Sequence, residues 1–325
     1  MTKWLADRDL ALVAAGVAVC MVVGPMLDTY LLGIATTMLV FVSLTAAWHL
    51  VGGYLGQLSI GHSALFGAGA YAAAIAGADP TTPFLLVLLA GAAGAVLVAI
   101  LIAPSFRARG IYFAIATLGV TGLMNVLAVY TAPGGNLGIV LPFRFAPFST
   151  APFYWALFLT ALTLVTIRIL MRSRHGLIIR AIRDDQGAAD SLGVNPVRYK
   201  IAVLVVSAAL TGLIGAFYAA RTAFVDPDTA FDVMLNVRLI LMAILGGIGT
   251  FWGSVAGAAF ITIADEVLRV HIGPEAAMIS YAALLIILTL RFPQGFAGIL
   301  RGGSPRPSIA GGGDGQAPIV SDTKD

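Results

Sequence analysis

The sequence predicts an all-α polytopic integral membrane protein with about ten (eight to ten) transmembrane helices, and three observations carry that prediction. First, 59% of the 325 residues are hydrophobic and only 11% are charged, against roughly 25% charged in soluble domains; the chain has too little polar surface to face water. Second, the apolar stretches run for about 20 residues, the length of a membrane-crossing helix, and not as the alternating segments of about ten that build a barrel. Lipid offers no partner to bare backbone polar groups, so a spanning chain must adopt one of those two forms. Third, the Lys and Arg residues cluster between the apolar runs, where topology-setting residues lie.

Ten spans follow, at about 10–27, 31–51, 57–77, 83–103, 111–131, 152–171, 201–221, 234–249, 251–270 and 276–291. The first is read as a retained span, because its apolar run continues to Leu27 without a small-residue cleavage site. With the amino terminus inside, 15 of the 19 Lys and Arg residues fall on the cytoplasmic side. These are Lys3, Arg8, Arg107, Arg109, the basic residues of 168–200, Arg291, Arg301, Arg306 and Lys324. Arg144, Arg221 and Arg269 fall outside and Arg238 lies within the eighth span. That bias places both termini in the cytoplasm. Residues 1–301 form the transmembrane domain, and the Gly/Pro/Ser-rich stretch 302–325 reads as a disordered tail. The outer segment 132–151, with "APGGNLGIVLPFRFAPF", reads as a structured cap.

Two Gly-rich stretches look alike. Gly52, Gly53 and Gly56 lead into Gln57, Ser59, Gly61 and His62, and Gly246, Gly247 and Gly249 lead into a helix with Gly253 and Gly257. Four-residue spacing lines Gly249, Gly253 and Gly257 along one helical face, where backbones can approach closely. Two readings stand: an internal duplication of a helical unit, as in many transporters, or small residues of the kind membrane helices commonly carry. The stretch 52–77 also admits a re-entrant form.

Several chemistries are excluded or left weak. Cys20 is the single cysteine, which rules out an intramolecular disulfide and a thiolate metal cluster. His49, His62, His175 and His271 are scattered without metal-ligand spacing, and no GxxxxGK[ST] loop exists to bind ATP. His62 is read as a hydrogen-bonding core residue. The formal charge of +3 reflects basic residues beside spans, which face headgroups and not nucleic acid. Arg238, with Asp232 six residues earlier, is read either as structural or as lining a solute path. Asp265 and Glu266 lie near the outer end of the ninth span, and there is no chain of intramembrane carboxylates to serve a proton-driven pump. Asp226, Asp228 and Asp232 fit either a solvated loop or a docking site for a basic partner.

The stretch 172–200 is the longest charged interruption. It carries Arg172, Arg174, Arg180, Arg183, Arg198 and Lys200 against Asp184, Asp185 and Asp190. Arg180 and Asp184 stand at i,i+4 and can pair. Asp184 or Asp185 can cap a short helix over 186–192, with Gly193 as a left-handed stop and Asn195-Pro196 barring continuation. Ala188, Ala189 and Leu192 fall on one face, which suits insertion into a groove on a soluble partner. A helix lying on lipid headgroups fits the same spacing.

Five segments resemble one family, the LivM-type permease subunits of branched-chain amino acid ABC importers. They are "GQLSIGHSALFGAGAYAAA" at 56–74, "RARGIYFAIATLGV" at 107–120, the stretch 176–219 beginning "GLIIRAIRDDQGAADSLGVNPVRYK", "MAILGGIGTFWGSVAGAAF" at 242–260 and "RFPQGFAGIL" at 291–300. In ABC importers the coupling signature reads EAA, three residues, then Gly; Gly187 stands here at the Glu position, followed by Ala188, Ala189 and Gly193. The resemblance implies that Asp185, Gln186, Gly187, Ala188, Ala189, Asp190, Leu192 and Gly193 form the ATPase-coupling helix, and that the basic residues around them hold the loop at the membrane. The Gly-rich residues 52–62 and 246–257 would serve helix packing or the translocation path.

The resemblance further implies a half-transporter of a prokaryotic cytoplasmic membrane. It would work with a homologous second permease subunit, two cytoplasmic ATP-binding subunits and an extracytoplasmic solute-binding protein. The chain itself would bind no cofactor, ATP and Mg being held by the partner ATPases, and would not be an enzyme. Closure of the ATPase dimer would pull on 186–195 and rock the spans. The solute would be a branched-chain or related amino acid, with urea or short amides as the alternative within the family. A self-sufficient secondary transporter or channel and a membrane-embedded enzyme are the rivals from other classes.

Overall fold

A computed structural model of the chain describes residues 8–79, 81–107, 110–142, 145–146, 149–273 and 283. Within these the architecture is helical: α1 (Arg8–Val23), α2 (Thr29–His49), α3 (His62–Ala76), α4 (Phe84–Ile102), α5 (Ile111–Thr131), α6 (Ala151–Arg172), α7 (Arg174–Asp184), α8 (Gln186–Ser191), α9 (Pro196–Thr222), α10 (Pro227–Ala230), α11 (Val233–Gly246) and α12 (Phe251–Ile272). Among the described residues, eight helical stretches are long and apolar enough to cross a membrane: 8–26, 29–54, 84–106, 111–131, 151–172, 196–222, 227–246 and 251–271. They match eight of the ten expected spans. The expected tenth span, the tail and the segment 291–300 lie outside the described residues.

The expected third span differs. The chain leaves α2 through a π-helical turn at Leu50–Tyr54, runs without helix to Gly61, and only then starts α3, which is 15 residues long. About 22 Å of helix at 1.5 Å per residue is short of a 30 Å hydrocarbon core. The non-helical backbone at 55–61 is partly buried, with Gly56 and Leu58 exposed, and protein groups meet its buried polar atoms. Thr117 Oγ1 accepts from Ile60 N at 3.0 Å, Ser59 O accepts from Trp48 Nε1 at 2.9 Å, and Gln57 N donates to Val51 O at 3.0 Å.

α3, α4 and α9 form the centre, and glycines set their spacing. A Cβ on Gly69 would lie 2.6 Å from Gly212 Cα, and one on Gly212 would lie 2.4 Å from Gly91 O. Nothing larger than hydrogen fits where three backbones meet. α2 packs between α6, α12 and α9, with Ser43 and Thr160 hydroxyls 2.8 Å apart across the α2–α6 contact. At the end where α9 finishes, β1 (Ile139–Val140) pairs antiparallel with β2 (Phe224–Val225), Ile139 opposite Val225. Leu141 N donates to Ala223 O at 2.9 Å, so the segment after α5 is tied down as the sequence predicts of a cap. At the opposite end, Asp9 pairs with Arg168 and accepts from Trp252 Nε1 at 2.8 Å, which joins α1, α6 and α12.

Two of the acidic residues singled out in the sequence serve as helix caps. Asp226 Oδ1 accepts from Thr229 N at 2.9 Å at the start of α10, and Asp232 Oδ1 accepts from Met234 N at 2.8 Å at the start of α11. Two of the three Asp residues around Pro227 thus satisfy orphan helix N–H groups, and Asp228 and Asp232 are exposed.

Candidate functional site

The stretch 172–200 folds as two short helices and the first turn of a third. α7 follows α6 after a sharp turn at Ser173, and its Ile179 and Ile182 are buried in the main core. Asp185 ends α7 and caps α8: its Oδ1 accepts from Gly187 N at 2.8 Å and from Ala188 N at 3.0 Å. Gly193 takes the left-handed conformation at φ 82°, which only glycine adopts cheaply. Asn195 Oδ1 then accepts from Arg198 N at 3.1 Å, capping α9 with Pro196 in its first turn.

Three expectations for this stretch are corrected. Ala188, Ala189 and Leu192 do not share a partner-facing surface. Ala189 is 4% exposed and joins the main core, whereas Leu192 is 84% exposed; Gly187, Ala188, Asp190 and Gly193 are also exposed. The i,i+4 pairing of Arg180 with Asp184 is replaced by a bond from Arg180 to Met171 O at 3.4 Å, because the turn at Ser173 brings that carbonyl within reach. Lys200 is not a headgroup-facing loop residue. It is fully buried, and its Nζ donates to Gln186 Oε1 at 2.8 Å. The buried ammonium and the buried Ala189 methyl together fix α8 on the bundle, with its other face bare.

The Gly-rich breaks meet at the base of this stretch. A Cβ on Gly56 would lie 2.9 Å from Arg183 Cγ, and one on Gly249 would lie 2.5 Å from Arg183 Nη1. Gly249 N donates to His49 Nε2 at 2.7 Å, across 200 residues of chain. Gly249 is therefore in the turn before α12, at φ 82°, and not on the helical face expected for it. The close α11–α12 contact uses Gly246, Gly253 and Gly257: a Cβ on Gly246 would fall 1.7 Å from Gly253 O, and one on Gly257 would fall 2.0 Å from Met242 O. Gly247 turns the chain at φ 106°. Gly52 and Gly53 leave room for the Trp48 and His49 rings of the preceding turn.

The remaining candidates line a buried polar chain. Ser59 Oγ and His62 Nδ1 are 3.1 Å apart, His62 Nε2 and Ser207 Oγ are 3.0 Å apart, and Ser207 Oγ donates to Ala47 O at 2.7 Å. Gly61 precedes α3, and a Cβ there would lie 2.9 Å from Thr117 Cβ. His62 is a core residue with both ring nitrogens engaged, which matches the sequence reading. Beside it, Asn236 Oδ1 accepts from Ser63 N at 2.9 Å. Sequence reasoning missed Asn236, Ser207 and Thr117, for which the available signal was a polar side chain inside an apolar run, and it gave Lys200 a surface role. Among the described residues, no group of three or more His, Cys, Asp or Glu side chains is placed to hold a metal ion.

At the far end of the bundle, α2, α9, α11 and α12 border a cavity of about 530 Å³. Arg221, Arg238, Asp265, Glu266 and Arg269 face it. Arg238 lies over the Phe41 ring at 5.3 Å, and Arg221 donates to Thr37 Oγ1 and Gly33 O, both at 3.1 Å.

Comparison with known proteins finds one family model, branched-chain amino acid transport system / permease component, matching residues 30–289. The chain is 28% identical over 300 residues to the high-affinity branched-chain amino acid transport system permease protein LivM of Salmonella typhimurium strain LT2, covering 82% of this chain and 70% of that one. It is 29% identical over 136 residues to the corresponding permease protein LivH of Escherichia coli strain K12, covering 42% of this chain and 44% of that one. Among solved structures it is similar to PsaBC from Streptococcus pneumoniae in complex with Fab, at 16% identity and a TM-score of 0.47, covering 87% of this chain and 99% of that one.

Proposed function

The chain belongs to the family of branched-chain amino acid transport system permease components, and on that premise we propose that it is one permease of an ATP-driven importer whose ATPase partner engages the exposed face of α8. The observation that carries the proposal is the construction of α8. A capped six-residue helix is anchored from below by Lys200 and Ala189 while Ala188 and Leu192 stand bare. An exposed Leu on a rigid support is what a groove on a soluble partner can receive. Of the basic residues beside this helix, Lys200 is buried and engaged, whereas Arg183 and Arg198 are exposed. The other subunits proposed are a second, homologous permease, two ATP-binding subunits and an external solute-binding protein. The solute proposed is a branched-chain or related amino acid. The insert faces the cytoplasm, on the charge bias of the loops, and ATP and Mg are held by the partners.

The test is Leu192→Asp in the reconstituted complex with all partner subunits. Burying a Leu side chain contributes about 1.5–3 kcal/mol, and a tenfold change in an equilibrium corresponds to about 1.4 kcal/mol. ATPase activity stimulated by solute and binding protein should fall at least about tenfold, while the permease pair remains assembled. Unchanged stimulation would remove α8 from the ATPase contact.

A further inference from the structure

The cavity at the end of the bundle opposite α8 carries an arrangement that helix packing alone does not require. α9 starts beside the insert and is 27 residues long, so its last turn lies about 40 Å away at 1.5 Å per residue. Arg221 from that last turn and Arg238 from α11 present two guanidinium groups to the cavity, and Asp265 and Glu266 from α12 present two carboxylates. Phe41 and Met242 supply apolar wall between them. Arg221, Asp265 and Glu266 stand toward the far ends of their helices, and opposite charges that converge beside apolar wall are the few placed polar groups of a small-molecule site. The volume, about 530 Å³, falls within the roughly 300–1,000 Å³ range of small-molecule sites.

Arg221 and Glu266 are held in place and keep hydrogen-bonding capacity beyond the bonds that hold them. Arg221 spends two of its N–H donors on Thr37 and Gly33 of α2, out of the five a guanidinium carries. Glu266 accepts one bond, from Tyr30 Oη at 2.7 Å, and a carboxylate can accept about four. Asp265 is paired within its own helix to Arg269 at 3.0 Å. The bonds from Arg221 and Glu266 both run to α2, so the wall carrying cations and the wall carrying anions are braced against one helix. Such a braced constellation keeps its geometry when a ligand arrives.

We propose that this cavity binds a small zwitterion, an aliphatic α-amino acid, with its carboxylate on Arg221 and Arg238, its ammonium on Glu266 and Asp265, and its side chain against Phe41 and Met242. The inference rests on the reading of the chain as an amino acid permease and gives that reading a recognition site on the side away from the ATPases. A phosphatidylethanolamine headgroup offers the same pairing of anion and ammonium, so the experiment must separate the two sources.

The experiment uses the complete importer in vesicles and measures binding of leucine, of leucinamide, which lacks the carboxylate, and of the keto acid of leucine, which lacks the ammonium. Glu266→Gln should raise the Kd for leucine about tenfold and leave the keto acid unchanged. Arg238→Gln should weaken leucine and the keto acid and leave leucinamide unchanged. Equal loss for all three ligands, or no loss, overturns the site, since a merely structural role cannot tell the analogues apart. Leucine binding that is equal in phosphatidylglycerol vesicles with and without phosphatidylethanolamine supports the amino acid. Leucine binding that is absent, together with phosphatidylethanolamine binding that Glu266→Gln abolishes, overturns it in favour of the headgroup. Uptake of leucine by the wild-type vesicles is the separate control. Failure of all amino acid uptake overturns the importer reading, whereas intact uptake with unselective variants overturns only the cavity.

Discussion

Gly246→Ala should separate α11 from α12, and the size of the effect follows from one distance. The added Cβ would sit 1.7 Å from Gly253 O, whereas ordinary contact begins at 3.4 Å. The two backbones must therefore part by roughly 1.7 Å, the difference between those values. Neither partner can yield by rotating a side chain, since the clash is with a carbonyl and Gly253 has no side chain. Overpacking of a well-packed site costs about 1–3 kcal/mol, and a rigid backbone partner puts this one at or above the top of that range. The separation also disturbs Gly257, whose own hypothetical Cβ lies 2.0 Å from Met242 O, so the loss spreads along the contact. The assay is the half-life of folded protein in detergent at a fixed temperature, because an irreversible loss of structure is measured as a rate. Gly16→Ala is the control: nothing lies within 4 Å of its Cβ position, and alanine favours a helix by about 0.5–1 kcal/mol over glycine. We expect Gly246→Ala to shorten the half-life at least tenfold and Gly16→Ala to preserve or lengthen it. Equal half-lives would refute the close α11–α12 contact.

Other outcomes follow from single contacts. Asp185→Ala removes the acceptor for Gly187 N and Ala188 N and should cost about 1 kcal/mol of local order; protease cutting within 186–193 should rise, and Asp185→Ser should restore most of the protection. Ser207→Ala removes a hydroxyl bonded to both His62 Nε2 and Ala47 O. Leaving a buried polar group unpaired costs about 1–3 kcal/mol, so thermal stability should drop, and Ser207→Thr should recover part of it. Orientation can be read with Cys20→Ser as background: a cysteine at exposed Leu192 should react with an impermeant maleimide only from the cytoplasmic side, and one at exposed Leu137 only from outside.

The helical class and eight of the spans were legible because a run of about 20 apolar residues in lipid has one economical solution. The capped helix α8 was legible too, since Asp185 bonds residues two and three positions on, and Gly193 and Pro196 act through their own backbone geometry. What the sequence hid depends on partners far along the chain. Ser59 and Ile60 leave the helix because Trp48 and Thr117 meet their backbone, and no local pattern announces Thr117. Gly249 lies in a turn, not on a helix face, because His49 takes its N–H. Spacing put Ala188, Ala189 and Leu192 on one side of a turn, but which edge of that arc faces inward was decided by the core that receives Ala189. Along the chain Lys200 is one basic residue among several, and only the fold sets Gln186 opposite it.

These long-range contacts also change how the candidate residues divide. Read along the chain, 185–193 belong to one functional class and the two Gly-rich stretches to another. In the fold, Arg183 touches both Gly56 and Gly249, and His49 joins α2 to Gly249. Both helix breaks therefore rest on the residue two positions before the cap of α8. A displacement of α7 and α8 as a unit cannot leave those breaks untouched, because Arg183 lies on α7 between them. Variants at Gly56 or Gly249 and variants of α8 should then show non-additive effects on transport, as residues sharing a contact do. Strict additivity would mean that the helical insert and the breaks work independently.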